Sequence, residues 1–144
     1  MVPGSATARE SDAELPPIID YRERFLPVVA RQGMVVVSVA YRLGIFGWLN
    51  HPEMTIKNPA LHDLATGLEW VHEYIAAFGG DPDRITVVGE SAGADNAIHL
   101  AISPLSQGRV RGLIQQSGGW SFDEGPDTQA AEAYALNFQR ALLG

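Results

Sequence analysis

Apolar residues in this chain form short continuous runs separated by longer amphipathic stretches. The β-branched runs Met34–Val39 and Ile85–Val88 contain almost no polar residue, and a shorter apolar segment begins Leu113–Gln116. Short continuous runs of this kind are typical of strands buried on both faces of a parallel sheet. The pattern therefore predicts three parallel strands.

The stretches between the strands have the 3.6-residue spacing of helices, except for Tyr41–Ala60, which glycine and proline mark as loop. Alternation of strands and helices predicts an α/β fold with right-handed crossovers, a parallel sheet core and helices on both faces. The predicted helices are Asp20–Gln32 with a kink at Pro27, Asp63 to about Phe78 with Asp63 as its cap, Ala94–Leu100 with its end before Pro104, and Thr128–Leu143.

The length of 144 residues corresponds to one domain. Residues 1–17 are polar, rich in small residues and bounded by prolines, which predicts a loop or a disordered start. Residues 18–144 are then the domain, and they contain no internal repeat and no interdomain linker.

Composition excludes several function classes. The net charge is −7 and the basic residues are dispersed, so we expect no nucleic-acid partner. The absence of cysteine excludes disulfides and thiol catalysis, and it fits a reducing compartment such as the cytoplasm without establishing one. We expect no cofactor and no bound metal. No apolar run reaches membrane-spanning length, and the first residues lack the pattern of a secretory signal.

The pentapeptide Gly89-Glu90-Ser91-Ala92-Gly93 is the most informative motif, because it lies between a predicted strand and a predicted helix. In that setting Gly-x-Ser-x-Gly predicts a nucleophile elbow, in which a strained turn exposes the serine hydroxyl. The alternative is an ordinary strand–turn–helix connection with a solvated serine.

Further motifs accompany this pentapeptide in a fixed order over residues 30–120. They are Val35–Gly44; Asn58, Leu61, Asp63, Leu68, Trp70 and Val71; Phe78–Pro82; Gly89–Gly93; and Gln116–Gly118. Together they resemble the type-B carboxylesterase and cholinesterase family, whose members have the α/β-hydrolase fold and hydrolyse carboxylic esters. An ordered set of motifs is more specific than the elbow alone.

The resemblance implies a role for each of four residues. Ser91 would attack the ester carbonyl to form an acyl-enzyme, and the backbone N–H of Ala92 would stabilise the oxyanion. Glu90 would lie buried beside the site and tune its electrostatics, or else be a solvated turn residue. Ser117 would be a serine near the catalytic acid, or an ordinary polar residue at a strand end.

The general base is missing from this pattern. In α/β-hydrolases the acid and the histidine follow the serine, and His99 is the one histidine after Ser91 in the sequence. It lies eight residues along the same predicted helix, about 12 Å away, which is too far for proton transfer. We expect Asp95 and His99 to form a surface i,i+4 pair, since a helix pair with no third ligand is a poor metal site. His51, His62 and His72 are interpreted as loop or helix-surface residues.

The family's glycine-rich oxyanion loop is also absent before Val35. We therefore expect a partial α/β-hydrolase fold, incomplete at both ends, that is marginally stable, self-associates through open sheet edges, and is weakly active or inactive alone. Two alternatives are a non-catalytic binding module of cholinesterase-like fold and a truncated gene product.

Overall fold

A two-stranded parallel sheet lies at the centre of the computed structural model, which describes residues 21–119 and 127–143. Strand β1 is Thr86–Glu90 and strand β2 is Gly112–Gln116. Their register runs from Thr86 opposite Gly112 to Glu90 opposite Gln116. Both strands lie within a residue or two of their predicted positions, whereas the predicted start at residues 1–17 lies outside the described residues.

Five α-helices and three short 3-10 turns accompany the sheet in the described part of the chain. Helix α5 has the bounds that its sequence pattern predicts, and α1 includes Pro27 before the chain turns at Gly33, whose φ is 79°. The helices are α1 Tyr21–Ala30, α2 Gly44–Trp48, α3 Pro59–Tyr74, α4 Ala92–Ile102 and α5 Thr128–Leu143, and the 3-10 turns are Ile75–Phe78, Pro82–Arg84 and Pro104–Ser106.

The strand predicted at Met34–Val39 is absent, so the described sheet has two strands and the prediction of three was wrong. Residues 34–43 contain no regular secondary structure. An apolar run reports burial, but a strand also needs a neighbouring backbone with which to form a hydrogen-bonded ladder. Only part of the run is covered: a Cβ placed on Gly67 of α3 would lie 2.5 Å from Cγ1 of the partly buried Val39, whereas Met34 and Val35 are exposed.

Asp63 does not cap α3, which begins four residues earlier than predicted, at Pro59. Proline suits the first turn of a helix because its missing N–H would have no partner there. The Asp63 carboxylate accepts bonds from Arg42 instead: from Nε at 2.8 Å, from the terminal guanidinium nitrogen at 2.7 Å and from the backbone N–H at 3.0 Å. These bonds hold the pKa of Asp63 below its usual value.

The segment predicted as loop, Tyr41–Ala60, contains the short helix α2. A Cβ on Gly47 of this helix would collide with the carbonyl oxygen of Arg42. The glycines of this segment were therefore interpreted wrongly as loop markers, because one of them permits close packing inside a helix.

The core joins α3 to α4 beneath the sheet. Leu64 and Leu68 of α3 and Leu100 of α4 are buried against one another. Partly buried Val87 of β1 and Val39 pack on this cluster. The helical spacing predicted for α3 is confirmed by this buried face, which fixes the position of α4 relative to the strand that precedes it.

Polar contacts attach α5 to the segment between α2 and α3. Lys57 Nζ contacts Glu132 Oε1 at 2.9 Å and donates to the carbonyl of His51 at 2.6 Å. His51 Nδ1 accepts from the N–H of Glu53 at 3.2 Å, so Nε2 is the protonated nitrogen that donates to Gln139 at 2.8 Å. His51 therefore has a structural contact. No helix among the described residues is long and apolar enough to cross a membrane.

Candidate nucleophile site

Ser91 lies in the turn between β1 and α4, and its backbone angles are ones that non-glycine residues rarely adopt. Its φ is 52° and its ψ is −127°. The Ser91 N–H continues the ladder by donating to the carbonyl of Gln116 at 2.8 Å, and its own carbonyl accepts from Ala94 N at 2.8 Å. A non-glycine residue in such a conformation costs about 1–3 kcal/mol. The surrounding bonds hold Ser91 in this conformation.

Gly89 makes this sharp turn possible. A Cβ at this position would collide with the carbonyl of Gly93 and would lie 2.7 Å from Ala94 N. The first turn of α4 therefore passes directly over the end of β1, and no side chain fits between them. The glycine of the motif is required by this close approach rather than by a positive φ.

The Ser91 side chain is exposed, and its hydroxyl has no hydrogen-bond partner within residues 21–119 and 127–143. The neighbouring N–H groups of Ala92 and Gly93, at the start of α4, likewise have no partner in that part of the chain. Free N–H groups at a helix N-terminus carry partial positive charge and favour an anion. The turn thus offers a hydroxyl beside backbone donors.

Ser117 occupies the equivalent position at the end of β2. It follows Gln116, the partner of Glu90, and its φ is 54°. It is exposed, and Glu90 is half-buried. Ser91 and Ser117 each come directly after one member of the Glu90–Gln116 pair. The sheet therefore brings the Gly89–Gly93 and Gln116–Gly118 motifs side by side.

The histidines make no hydrogen bond to Ser91 in the described structure. His99 Nδ1 donates to the backbone carbonyl of Asp95 at 2.7 Å, because a carbonyl oxygen can only accept. The expected i,i+4 contact therefore runs through the backbone of Asp95 rather than its carboxylate. His62 and His72 lie on α3. No group of three potential metal ligands is present among the described residues.

Two polar residues behind the elbow have surroundings that the sequence analysis did not predict. Asn96 is buried, and its side-chain amide donates to the Tyr41 hydroxyl at 3.0 Å. Burial raises the pKa of Tyr41, and the bond from Asn96 partly opposes this. Asp95 Oδ1 is buried without a hydrogen-bond partner in the described chain. The sequence signal for Asp95 and Asn96 was the presence of two polar residues near the start of an otherwise apolar helix.

A serine at positive φ, held between a parallel strand and a helix N-terminus by a glycine contact, has the geometry of the serine-hydrolase nucleophile elbow. The model of the carboxylesterase family matches residues 21–139. The chain belongs to this family.

Similar proteins agree with this assignment. The chain is 43% identical over 98 residues to fumonisin B1 esterase of Sphingopyxis macrogoltabida, covering 63% of this chain and 18% of that protein. It is 45% identical over 122 residues to para-nitrobenzyl esterase of Bacillus subtilis, covering 80% of this chain and 25% of that protein.

A solved structure of a thermophilic PNB esterase matches with a TM-score of 0.63 and 38% identity, over 71% of this chain and 21% of that one. The fold is therefore that of the α/β-hydrolases, as the sequence motifs predicted. The chain spans about a fifth of the length of these relatives.

Proposed function

We propose that this chain supplies the nucleophile segment of a carboxylic ester hydrolase. The observation that carries the proposal is the strained, exposed Ser91 beside unpaired N–H groups of α4. Backbone strain persists where the surrounding structure maintains it, and it clusters at functional sites. A binding module would have no need of this strain, which favours catalysis over the non-catalytic alternative.

In the proposed reaction the Ser91 oxygen attacks the ester carbonyl carbon while its proton passes to a base. The carbonyl oxygen becomes an oxyanion, which accepts a hydrogen bond from the Ala92 N–H. Collapse of this intermediate breaks the bond to the alcohol, which leaves with a proton and yields the acyl-enzyme. Water then attacks the acyl group, and the acid is released with Ser91 restored.

The base and the catalytic acid are proposed to come from outside the described residues. A serine hydroxyl is a weak nucleophile without a base, and the Ser91 hydroxyl has no hydrogen-bond partner in the described chain. His51 and His99 already bond Gln139 and the Asp95 carbonyl, respectively. We therefore expect slow acylation of the 144-residue chain by itself.

Glu90 and Ser117 are proposed to support this chemistry without reacting. Glu90 is adjacent to Ser91 and half-buried, so a carboxylate there would add negative potential near a protonated base. Ser117, at the same level of the sheet, is proposed to lie near the catalytic acid. Neither residue hydrogen-bonds Ser91 in the described structure.

The proposed substrate is a small carboxylic ester, in keeping with relatives named as esterases. We propose that no nucleic acid takes part, because the net charge is −7. We also propose that residues 18–144 form one domain. This domain would self-associate through open sheet edges, of which the outer edge of β2 pairs with no other described strand. Light scattering across a concentration series tests the self-association.

Fluorophosphonate labelling and p-nitrophenyl acetate turnover test the role of Ser91. We expect slow labelling of the chain, its loss in Ser91→Ala, and its retention in Ser117→Ala. The second variant is a matched control, because both serines are exposed strand-end residues with φ near 50°.

Labelling that persists in Ser91→Ala, or that is absent from the folded chain altogether, would contradict the proposed nucleophile. Labelling as fast as that of a complete serine hydrolase would contradict the proposal that the base lies outside the described residues.

A further inference from the structure

The outer edge of β2 is an open strand edge that carries no charge. Among the described elements, β2 packs against β1 and α4. Its residues Gly112–Gln116 include no charged side chain, and Leu113 and Ile114 are 37% and 49% exposed. The outer edge of β1 is more enclosed, since the segment Met34–Val39 lines a cavity together with Val88. The β2 edge is therefore the more accessible template for pairing with another chain.

The backbone of β2 points alternately towards β1 and towards this open edge. The Gln116 carbonyl accepts from Ser91 N at 2.8 Å, so the even-numbered residues of β2 direct their backbone groups to β1. Leu113 and Gln115 direct theirs outwards, because successive residues of a strand face opposite edges. Within residues 21–119 and 127–143 these outward groups have no hydrogen-bond partner.

Charges of opposite sign lie at the two ends of this edge. Arg111 directly precedes β2, is exposed and forms no ion pair within the described part of the chain. At the other end, Asp95 Oδ1 is buried without a hydrogen-bond partner in the described residues. A Cβ placed on Gly118, just beyond β2, would lie 3.3 Å from this oxygen. With a cation at its start and an anion at its end, the edge complements a second copy that runs in the opposite direction.

We propose that two copies of this chain pair β2 with β2 in antiparallel orientation, centred on Ile114. The interface is then isologous, with a two-fold axis between the two Ile114 residues. Leu113 of each copy exchanges backbone hydrogen bonds with Gln115 of the other, and the two Ile114 residues form a non-hydrogen-bonded pair. This register pairs all five residues of each strand. A register centred on Leu113 or on Gln115 would leave two residues of each strand without a strand partner.

The centred register also brings the two charges together. Arg111 of one copy lies opposite Ser117 of the other, beside the Gly118 turn that covers Asp95. The guanidinium is a charged donor for the Asp95 carboxylate, and the symmetry of the dimer makes this contact twice. The contacts offset repulsion between two chains of net charge −7. This inference rests on the self-association proposed above and is independent of ester hydrolysis.

Disulfide cross-linking tests the register, since the chain has no cysteine of its own. Ile114→Cys places two thiols across a non-hydrogen-bonded pair whose Cα atoms lie about 4.5 Å apart, which suits a disulfide. Leu113→Cys is the matched control, because this neighbour is also exposed but its Cα atoms would lie about 9 Å apart, too far for a disulfide. With oxidised glutathione, we expect Ile114→Cys to form a covalent dimer at least tenfold faster than Leu113→Cys.

Equal cross-linking rates, or faster cross-linking of Leu113→Cys, would overturn the proposed register and leave the self-association itself standing. A wild-type chain that stays monomeric at every concentration in sedimentation would overturn both.

Charge reversal tests the contact between Arg111 and Asp95. Because each dimer contains the contact twice, we expect Arg111→Glu to weaken dimerisation about tenfold, as measured by sedimentation equilibrium. Adding Asp95→Asn removes the like charge and should restore part of the loss. Arg84→Glu is the control, since it changes the net charge equally at an exposed residue that bonds Asp81 instead. Equal weakening by Arg111→Glu and Arg84→Glu, or no recovery with Asp95→Asn, would overturn the proposed contact.

Amide hydrogen exchange identifies which edge is covered in the dimer. We expect protection of the outward Leu113 and Gln115 amides to grow with protein concentration. The Ile114 amide, which is directed to β1, serves as the internal reference and should be protected at all concentrations. Protection of Leu113 and Gln115 that does not change with concentration would overturn the proposal, because the chain itself would then cover the edge. Concentration-dependent protection at Val88 in place of β2 would also overturn it.

Discussion

The C-terminal ends of β1 and β2 have similar backbone conformations, but the segments that follow the two strands differ. Ser91 and Ser117 come after paired residues, are both exposed, and have φ values of 52° and 54°. Ser91 leads directly into α4, whereas Ser117 leads into Gly118 and Gly119, with no helix before residue 120. Positive φ therefore does not by itself distinguish a nucleophile from a turn residue.

The helix makes the difference between the two ends. At Ser91 it provides unpaired N–H groups and the positive end of a helix dipole next to the hydroxyl. It also holds the turn in place, since Leu100 of α4 is buried in the core and Asn96 bonds Tyr41. In the described residues, the Ser117 turn contacts the same helix from outside, with Gly118 packed against Ala94.

The largest effect is expected from adding a methyl group at each end. Gly89→Ala places its Cβ against the backbone of Gly93, which no rotamer change relieves, so we expect a loss of about 3 kcal/mol or more. In Gly118→Ala the new Cβ lies 2.6 Å from the Cβ of Ala94, and a shift of the turn would relieve it, so we expect about 1–3 kcal/mol.

Urea unfolding of the two variants measures this difference. Equal losses at both positions would show that the elbow is no more tightly constrained than the neighbouring turn, and the comparison of the two ends would fail.

Sequence pattern located the sharp strand–turn–helix connection at Ser91 because its cause is local. A β-branched run, a glycine where strand and helix touch, and a helix-forming stretch are all visible within Ile85–Leu100. The segment Met34–Val39 shows the limit of the same reasoning. Its apolar run predicted a buried strand, but Met34 and Val35 are exposed. Strand pairing depends on a neighbouring backbone that no local pattern contains.

Polar contacts between residues far apart in the chain could not be predicted from local sequence pattern either. Asp63 looked like a helix cap, yet its partner Arg42 lies 21 residues earlier in the chain. Asn96 lies within a predicted helix, and its bond to Tyr41 spans 55 residues. Polar side chains are versatile donors and acceptors, so their partners depend on the fold rather than on their neighbours in sequence.

The second largest loss of stability is expected where α4 is anchored by the bond between Asn96 and Tyr41. Asn96→Ala leaves the Tyr41 hydroxyl without this donor in a partly buried position, and we expect a loss of about 1–3 kcal/mol. Tyr41→Phe leaves the buried Asn96 amide without this acceptor, and we expect a similar loss of about 1–3 kcal/mol. A double-mutant cycle measured by urea unfolding gives the coupling, expected at about 1 kcal/mol. Additive losses would mean that this bond does not anchor the elbow helix.

A smaller effect is expected from relieving the strain at each serine. Ser91→Gly and Ser117→Gly remove the Cβ from a positive-φ position, and we expect each to raise stability by about 1 kcal/mol or less. The controls Ser91→Ala and Ser117→Ala keep the Cβ and should give no such gain. A gain at Ser117 but none at Ser91 would show that the elbow imposes no backbone cost.

The smallest effect is a dependence on pH that acts on the Ser91 side alone. Arg42 lies beside Tyr41, and its bonds hold the pKa of Asp63 below the ordinary value of 3.8. A lowered folded-state pKa means that the unfolded chain binds the proton more tightly. The stabilisation by Asp63 is thus complete well above pH 3.8 and is lost as the pH falls through the lower folded-state value. Asp63→Asn should abolish this part of the pH dependence in urea midpoints measured from pH 6 to pH 2, while Ser117→Ala should leave it intact. A wild-type profile that Asp63→Asn does not change would show that the Arg42 contact contributes nothing to the stability of the elbow side.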